Sequence, residues 1–114
     1  MLTLEALREY GANTAEGMAR CLNNEAFYLR LVGMALDDAN FGRLREAIAE
    51  GDAKKAFEAA HALKGSIGNL ALTPLYDPIS ALTERLRGCG SIDAAGDLPD
   101  AIWSSLEKAR ALKA

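Results

Sequence analysis

Hydrophobic and polar residues alternate with helical spacing along most of the chain. Apolar residues recur every three or four positions, as they do on the buried face of an α-helix. The clearest stripe lies in the middle of the chain and consists of Ala56, Ala60, Leu63, Ile67 and Leu70. It predicts one unbroken helix from the N-cap residue Asp52, through Gly65 and Gly68, to about Leu70.

Four shorter segments are predicted on the N-terminal side of this helix. A weak helical pattern covers residues 3–10. Asn13 and Glu16 have the spacing of a capping box, which predicts a short helix from Thr14 to about Leu22. Asn24 is the next N-cap residue, and Asn40 is predicted to cap the helix that ends at Gly51, since glycine favours the left-handed conformation found just after helices.

The helices predicted after Asn24 and Asn40 each have an apolar face. The first has a wide stripe, which predicts that this helix is well buried. Its centre is Phe27, Leu31 and Met34, with Tyr28, Val32 and Ala35 beside them. The predicted inward residues of the second helix are Phe41, Leu44 and Ile48.

Two prolines shape the prediction after Leu70. Thr73–Pro74 and Asp77–Pro78 are successive helix-start signals. A proline at 78 in a helix begun at 74 would remove a hydrogen bond and clash with the carbonyl four residues before it. The sequence therefore predicts a turn at 74–77, a helix from Pro78 to about Arg87, a loop at 88–97 and a last helix at about 98–112. The predicted inward residues are Ile79, Leu82 and Leu86, then Leu98, Ile102, Leu106 and Ala109.

These segments together predict an all-α fold. The chain has 22 Ala and 17 Leu, which favour helices, against one Val, five Ile and four Thr, which favour strands. Its 114 residues suffice for a single domain, 1–114. Short connections favour an antiparallel up-and-down four-helix bundle with a core at about 24–87, an additional short N-terminal helix and a C-terminal helix.

Charge and composition exclude several classes of function. Thirteen basic residues against sixteen acidic ones give a net charge of −3, which argues against a general electrostatic grip on nucleic acid or an anionic membrane. No apolar stretch is long enough to span a bilayer, and the first residues do not form a signal peptide. Cys21 and Cys89 lack metal-ligand spacing. A cytoplasmic monomer without a metal or cofactor is expected.

His61 is the only histidine in the chain. A zinc site needs further ligands and a hydrolase triad needs a nucleophile motif, and the sequence supplies neither. Lys64, Gly65 and Gly68 follow His61 by three, four and seven residues, so a continuous helix places them on one face. Each interior glycine costs about 1 kcal/mol relative to alanine, which points to a surface that a partner approaches closely.

A structural interpretation of the same residues stays open from the pattern alone. Lys64–Gly65 is also a typical helix C-terminus, with Gly65 as the cap and residues 66–69 as a turn. His61 would then be an ordinary residue at the solvent edge. The stripe that continues in phase through Ile67 favours the unbroken helix. If Gly68 lies in the interior of the helix, Gly68→Ala should raise stability by up to about 1 kcal/mol.

The string AHALKGSIGNLAL, residues 60–72, resembles the signature of histidine-containing phosphotransfer (HPt) domains, roughly His-x-Leu-Lys-Gly followed by small residues. The segments at about 24–87 are similar to the helical bundle of that family. The segment at 13–22 and the last helix resemble the extra cover of stand-alone members.

The resemblance implies a role for each matching position. His61 would accept the phosphoryl group on Nε2, Lys64 would hold the phosphoryl oxygens, and Gly65 and Gly68 would keep the docking face small. Ala71 stands where the family often has a third glycine. The implied partners are response-regulator receiver domains or a hybrid histidine kinase, with the receiver bringing Mg²⁺. The chain itself is expected to bind no metal and no cofactor.

Three residues near His61 are further candidates. Phe57 and Lys54, four and seven residues before His61, continue its ridge, so Phe57 would offer a receiver an apolar contact and Lys54 would reach acidic groups. The plain alternatives are core packing for Phe57 and a solvated helix start for Lys54. Glu58, three residues before His61, is a candidate acceptor for the second ring nitrogen.

The chain is therefore expected to be a phosphocarrier and not an enzyme. A neutral imidazole can take a phosphoryl group from the aspartyl phosphate of one receiver and pass it to another. No Walker-type loop is present, and the length leaves no room for a kinase catalytic domain.

Three alternatives remain. In the first, the bundle docks on a receiver or kinase without being phosphorylated. In the second, it is purely structural. In the third, it is a segment of a larger kinase. Met1 and the basic residues at the end favour a complete small protein, although an excised segment would look the same.

Overall fold

The computed structural model describes all 114 residues, and its regular structure is entirely helical. This confirms the all-α prediction. The seven α-helices are α1 Leu4–Tyr10, α2 Thr14–Arg20, α3 Glu25–Leu36, α4 Ala39–Glu50, α5 Ala53–Asn69, α6 Thr73–Leu86 and α7 Leu98–Ala111. A short 3₁₀ turn, Ile92–Ala95, lies in the predicted loop before α7. None of the helices combines the length and the apolar composition needed to cross a membrane.

One hydrophobic core joins the last five helices and also includes Leu7 of α1. Helix α5 packs against α4 and α6, and α6 packs against α7. The predicted inward residues of α5 and α6 are all buried, and those of α4 and α7 are buried except for Ile48 and Leu98, which are half-buried. The stripe of α5 places this helix in the middle of the packed set, so only its outer face is available to solvent.

Most of the predicted helix starts are confirmed. The side chains of Asn13, Asn24 and Asp52 each accept a hydrogen bond from the backbone N–H three residues later. The prediction for α4 was wrong, because Asp38 is the N-cap and accepts from the N–H of Asn40 at 2.8 Å. The side chain of Asp38 pairs with a free backbone N–H of the first turn, and Asn40 lies within that turn instead of capping the helix.

The prediction that the wide stripe of α3 is well buried is wrong for the centre of the stripe. The buried residues of this helix are Tyr28, Val32 and Leu36, whereas Phe27 is 46% and Met34 60% exposed. The buried Tyr28 donates a hydrogen bond from its hydroxyl to the carbonyl of Leu70 at 2.9 Å. A wide apolar stripe contains two possible inward edges, and this long-range hydrogen bond belongs to the edge that faces the core.

The turn predicted at 74–77 is also wrong, since α6 begins at Thr73 and contains Pro78. Pro74 lies at the start of the helix, where a missing N–H costs nothing, and Pro78 removes a single bond close to that end. Leu75 and Ile79 are completely buried on the same stripe as Leu82. We attribute the continuous helix to this burial, which outweighs the lost bond.

The end of α5 explains the role of Ala71. The N–H of Ala71 donates to the carbonyl of Gly68 at 3.0 Å, and the N–H of Leu72 donates to that of Ile67 at 3.4 Å. This is the hydrogen-bond pattern of a Schellman motif, which places its C′ residue in the left-handed region. Ala71 is that residue, with φ of +57°. Residue 71 must therefore adopt a left-handed backbone conformation, and its side chain must also be small.

We expect Ala71→Gly to raise the free energy of unfolding by about 0.5–1 kcal/mol. Glycine avoids the clash of Cβ with the backbone at positive φ, and its greater freedom in the unfolded chain offsets part of that gain. Urea unfolding of the two proteins measures the difference. A loss of stability would mean that packing of the buried Ala71 methyl group outweighs the backbone strain.

Candidate functional site

Helix α5 runs unbroken through Gly65 and Gly68, as predicted, and carries His61 on its exposed face. His61, Lys64, Gly65 and Gly68 line one open groove of about 760 Å³. The other lining residues come from the end of α5, from α2 and from the start of α6: Asn69, Ala71, Glu16, Arg20, Thr73, Tyr76 and Asp77. The groove thus brings together four of the residues singled out in the sequence and adds polar groups from two other helices.

The imidazole of His61 rests on Phe57. The two ring centroids are 5.7 Å apart and the ring planes differ by 8°, which is a stacked arrangement. Helical side chains lean toward the N-terminus, so a residue at 61 covers the turn that contains residue 57. The guanidinium carbon of Arg87 lies 5.2 Å from the Phe57 centroid. Half-buried Phe57 therefore supports the histidine ring from below and also contacts a cation of the loop after α6.

The suggestion that Glu58 orients the imidazole is wrong. Glu58 lines a different groove, shared with Asn40, Arg43 and Glu46 of α4, and the structure has no hydrogen bond between it and His61. The stacking on Phe57 is the contact that the structure gives the ring. Both ring nitrogens are thus open to a partner.

Lys64 is already engaged in an ion pair. Its Nζ lies 3.2 Å from Oε1 of Glu84 on α6. Glu84 also accepts two hydrogen bonds from Arg87, from Nε at 3.1 Å and from the terminal guanidinium nitrogen at 3.3 Å. The bonds from Arg87, and then that from Lys64, hold the pKa of the Glu84 carboxyl below its ordinary value. Glu84 in turn raises the pKa of Arg87. Two cations therefore share one carboxylate beside the groove.

The two glycines of the motif have different surroundings. Gly65 is exposed, and a Cβ built there meets nothing within 4 Å. A Cβ on Gly68 would lie 2.7 Å from Cε1 and 3.0 Å from Cδ1 of Tyr76. The carbonyl of Gly68 also accepts a hydrogen bond from Arg20 at 2.6 Å. Gly65 is therefore the open position beside His61, and Gly68 makes room for an aromatic ring of this chain.

The close packing of Tyr76 overturns the expectation that Gly68→Ala stabilises the protein. Overpacking costs about 1–3 kcal/mol, which exceeds the gain in helix propensity. We expect Gly68→Ala to lower the free energy of unfolding by about 1 kcal/mol, and to raise it in a Tyr76→Ala background, where the ring is absent. Urea unfolding of the four proteins gives both values. A stabilising effect in both backgrounds would show that the Tyr76 ring moves aside freely.

Lys54 lies outside the groove. It is exposed in the first turn of α5 and forms no ion pair, whereas its neighbour Lys55 approaches Glu50 at 4.0 Å and Asp52 at 3.9 Å. Phe57 is likewise absent from the groove lining, but its ring stacks on that of His61. No three His, Cys, Asp and Glu side chains form a group that could hold a metal ion.

The family model of the Hpt domain matches residues 31–112, well over half of the chain. The chain belongs to the Hpt domain family. Searches of the curated proteins and of the solved structures found no match. Hpt domains take part in histidine phosphotransfer in two-component signalling, where they interact with response-regulator receivers and kinases and are phosphocarriers rather than kinases.

Several residues in the groove of this Hpt domain and beside it carry no signal in the sequence that connects them to His61. Glu84 and Arg87 have the three-residue spacing of a helical ion pair, but only the packing of α6 on α5 brings Glu84 to Lys64. Tyr76 fell in the wrongly predicted turn. Arg20 and Glu16, which form an ion pair on α2, precede the matched range, and no local pattern connects them to residue 68.

Proposed function

We propose that this Hpt domain relays a phosphoryl group between the aspartates of response-regulator receivers, with His61 as the carrier. The observation that supports this most directly is the position of the single histidine. It is exposed on a continuous helix at the edge of an open groove, with Lys64 one turn away and no side chain at Gly65. A nucleophile that reacts with a group on another protein needs this accessibility.

The proposed step is an in-line displacement at phosphorus. The lone pair of Nε2 of the neutral imidazole attacks, the N–P bond forms, and the P–O bond to the receiver's aspartate breaks and releases its carboxylate. The imidazole keeps its proton on Nδ1. Transfer to the next receiver is the reverse reaction. Such transfers depend on positioning and on neutralising the charge of the phosphoryl oxygens. Lys64 contributes one positive charge, and the receiver contributes Mg²⁺.

The surface around His61 fits a docking role. The open position at Gly65 lets a receiver approach the imidazole, and stacking on Phe57 limits the directions in which the ring can turn. Gly68 acts on this surface through Tyr76, for which it makes room. Lys54, free of ion pairs at the start of α5, is available to acidic groups at the edge of the interface.

The finer architecture belongs to the same proposal. We propose a single domain over residues 1–114, a cytoplasmic monomer that requires no cofactor of its own. Two residues connect α4 to α5 and three connect α5 to α6. Connections this short between packed helices support the antiparallel up-and-down bundle.

The test is phosphorylation by a receiver. After incubation with a panel of phosphorylated receivers, the Hpt protein should carry one phosphoryl group per chain, in a bond that acid cleaves and base does not. A second receiver added to the purified phosphoprotein should remove the label. Binding to receivers without any labelling would instead support an interaction module that is not phosphorylated.

A further inference from the structure

Glu84 forms ion pairs with Lys64 and Arg87, and Lys64 lies one helical turn from His61. The sequence motif does not include Glu84. We propose that Glu84 is a positioning residue that competes with the phosphoryl group on His61 for the Lys64 ammonium. This inference rests on the proposed function of His61 and adds a residue that adjusts its charge environment. In the unphosphorylated protein Glu84 holds Lys64 at 3.2 Å, and after phosphorylation Lys64 exchanges this carboxylate for the phosphoryl oxygens.

The arrangement of Arg87 makes this exchange possible. A carboxylate that lost its only partner would resist the change, but Glu84 keeps the two hydrogen bonds from Arg87 when Lys64 leaves. Glu84 and Arg87 are both exposed, and ion pairs in such surroundings are weak. A phosphoryl dianion carries twice the charge of the carboxylate, so it attracts the ammonium more strongly.

Helix geometry brings Lys64 within reach of both anions. Lys64 lies three residues after His61, so the two side chains are neighbours on the surface of α5. Its four-carbon chain is flexible and ends in a compact charge with three donors, which suits a group that changes partners. Glu84 therefore determines how strongly the Lys64 ammonium interacts with the phosphohistidine.

The test removes the competitor and measures the phosphoryl group itself. Phosphoramidate phosphorylates the purified protein without a receiver: the imidazole displaces ammonia at phosphorus, so one P–N bond breaks as another forms. A ³¹P NMR titration then gives the pKa of the second phosphoryl ionisation in the wild type, Glu84→Gln, Lys64→Gln and the double variant. Glutamine is neutral and releases Lys64, so Glu84→Gln should lower this pKa by roughly half a unit.

A double-mutant cycle separates the action through Lys64 from the loss of a negative charge alone. In the Lys64→Gln background, Glu84→Gln should shift the phosphoryl pKa much less. Glu107→Gln, an exposed change of the same charge on α7, should leave it unchanged. Glu16, Arg20 and Asp77 also line the groove, but they are present in every variant.

Each outcome decides the inference. A shift that persists in full without Lys64, or no shift in Glu84→Gln, overturns it while the relay stands. If neither phosphoramidate nor a phosphorylated receiver labels His61, both the inference and the relay are overturned. A phosphoprotein that shows the predicted shifts but exchanges nothing with receivers supports Glu84 as the competitor and contradicts only the relay.

Discussion

We expect His61→Gln to abolish phosphoryl transfer completely. The amide nitrogen of glutamine has no available lone pair for attack on phosphorus, and the chain contains no second imidazole. Because His61 is exposed and its ring contacts mainly Phe57, the variant should fold, with a free energy of unfolding within about 0.5 kcal/mol of the wild type. Radiolabelled phosphate on the Hpt protein, after incubation with a phosphorylated receiver, measures the loss.

The chemical stability of the label makes this result decisive. Phosphohistidine is lost in acid and kept in base, whereas a phosphate ester of serine or threonine behaves differently. Any weak residual label on His61→Gln should therefore differ in lability from that of the wild type. An equal amount of acid-labile label on the variant would place the phosphoryl group elsewhere and refute the relay.

The sequence predicts the helix that carries the site because local and long-range signals agree there. Asp52 provides a cap, and the stripe from Ala56 to Leu70 keeps one phase across both glycines. The position of His61 on the exposed side of that stripe follows from helical periodicity alone. For α3 the local signal is ambiguous, since its stripe is wide enough to be buried along either edge. The choice depends on Leu70, forty-two residues away from Tyr28.

The surroundings of His61 are less predictable because they depend on which helices pack together. Pro78 is a strong local signal against a helix, and burial of Leu75 and Ile79 overrides it. Because a turn was predicted there, the sequence did not place Tyr76 against α5. The packing of its ring on Gly68 was therefore not predicted. Gly65 and Gly68 lie on the same face of α5 but have different roles. Only the tertiary structure shows that residue 65 is open and that residue 68 packs against Tyr76.

The largest effect on docking is expected at the open position. We expect Gly65→Gln to slow transfer from a receiver on the order of 100-fold, because the reacting atoms must approach closely and in line. A side chain at residue 65 leans toward the N-terminus of α5 and so covers the turn that carries His61. The same change should raise the free energy of unfolding by up to about 1 kcal/mol, since glutamine favours the helix and meets no neighbour. Stopped-flow or quenched transfer kinetics and urea unfolding measure the two effects.

Gly42→Gln provides the matched control. Gly42 is exposed inside α4, a Cβ there meets nothing within 4 Å, and it does not line the groove of His61. It should gain similar stability and transfer at the wild-type rate. Phosphoramidate, which is small, should still label His61 in Gly65→Gln, and this separates blocked docking from a damaged nucleophile. If Gly65→Gln accepts phosphoryl groups from receivers as fast as Gly42→Gln does, receivers do not dock across residue 65, and the open position of the helix serves some purpose other than their approach.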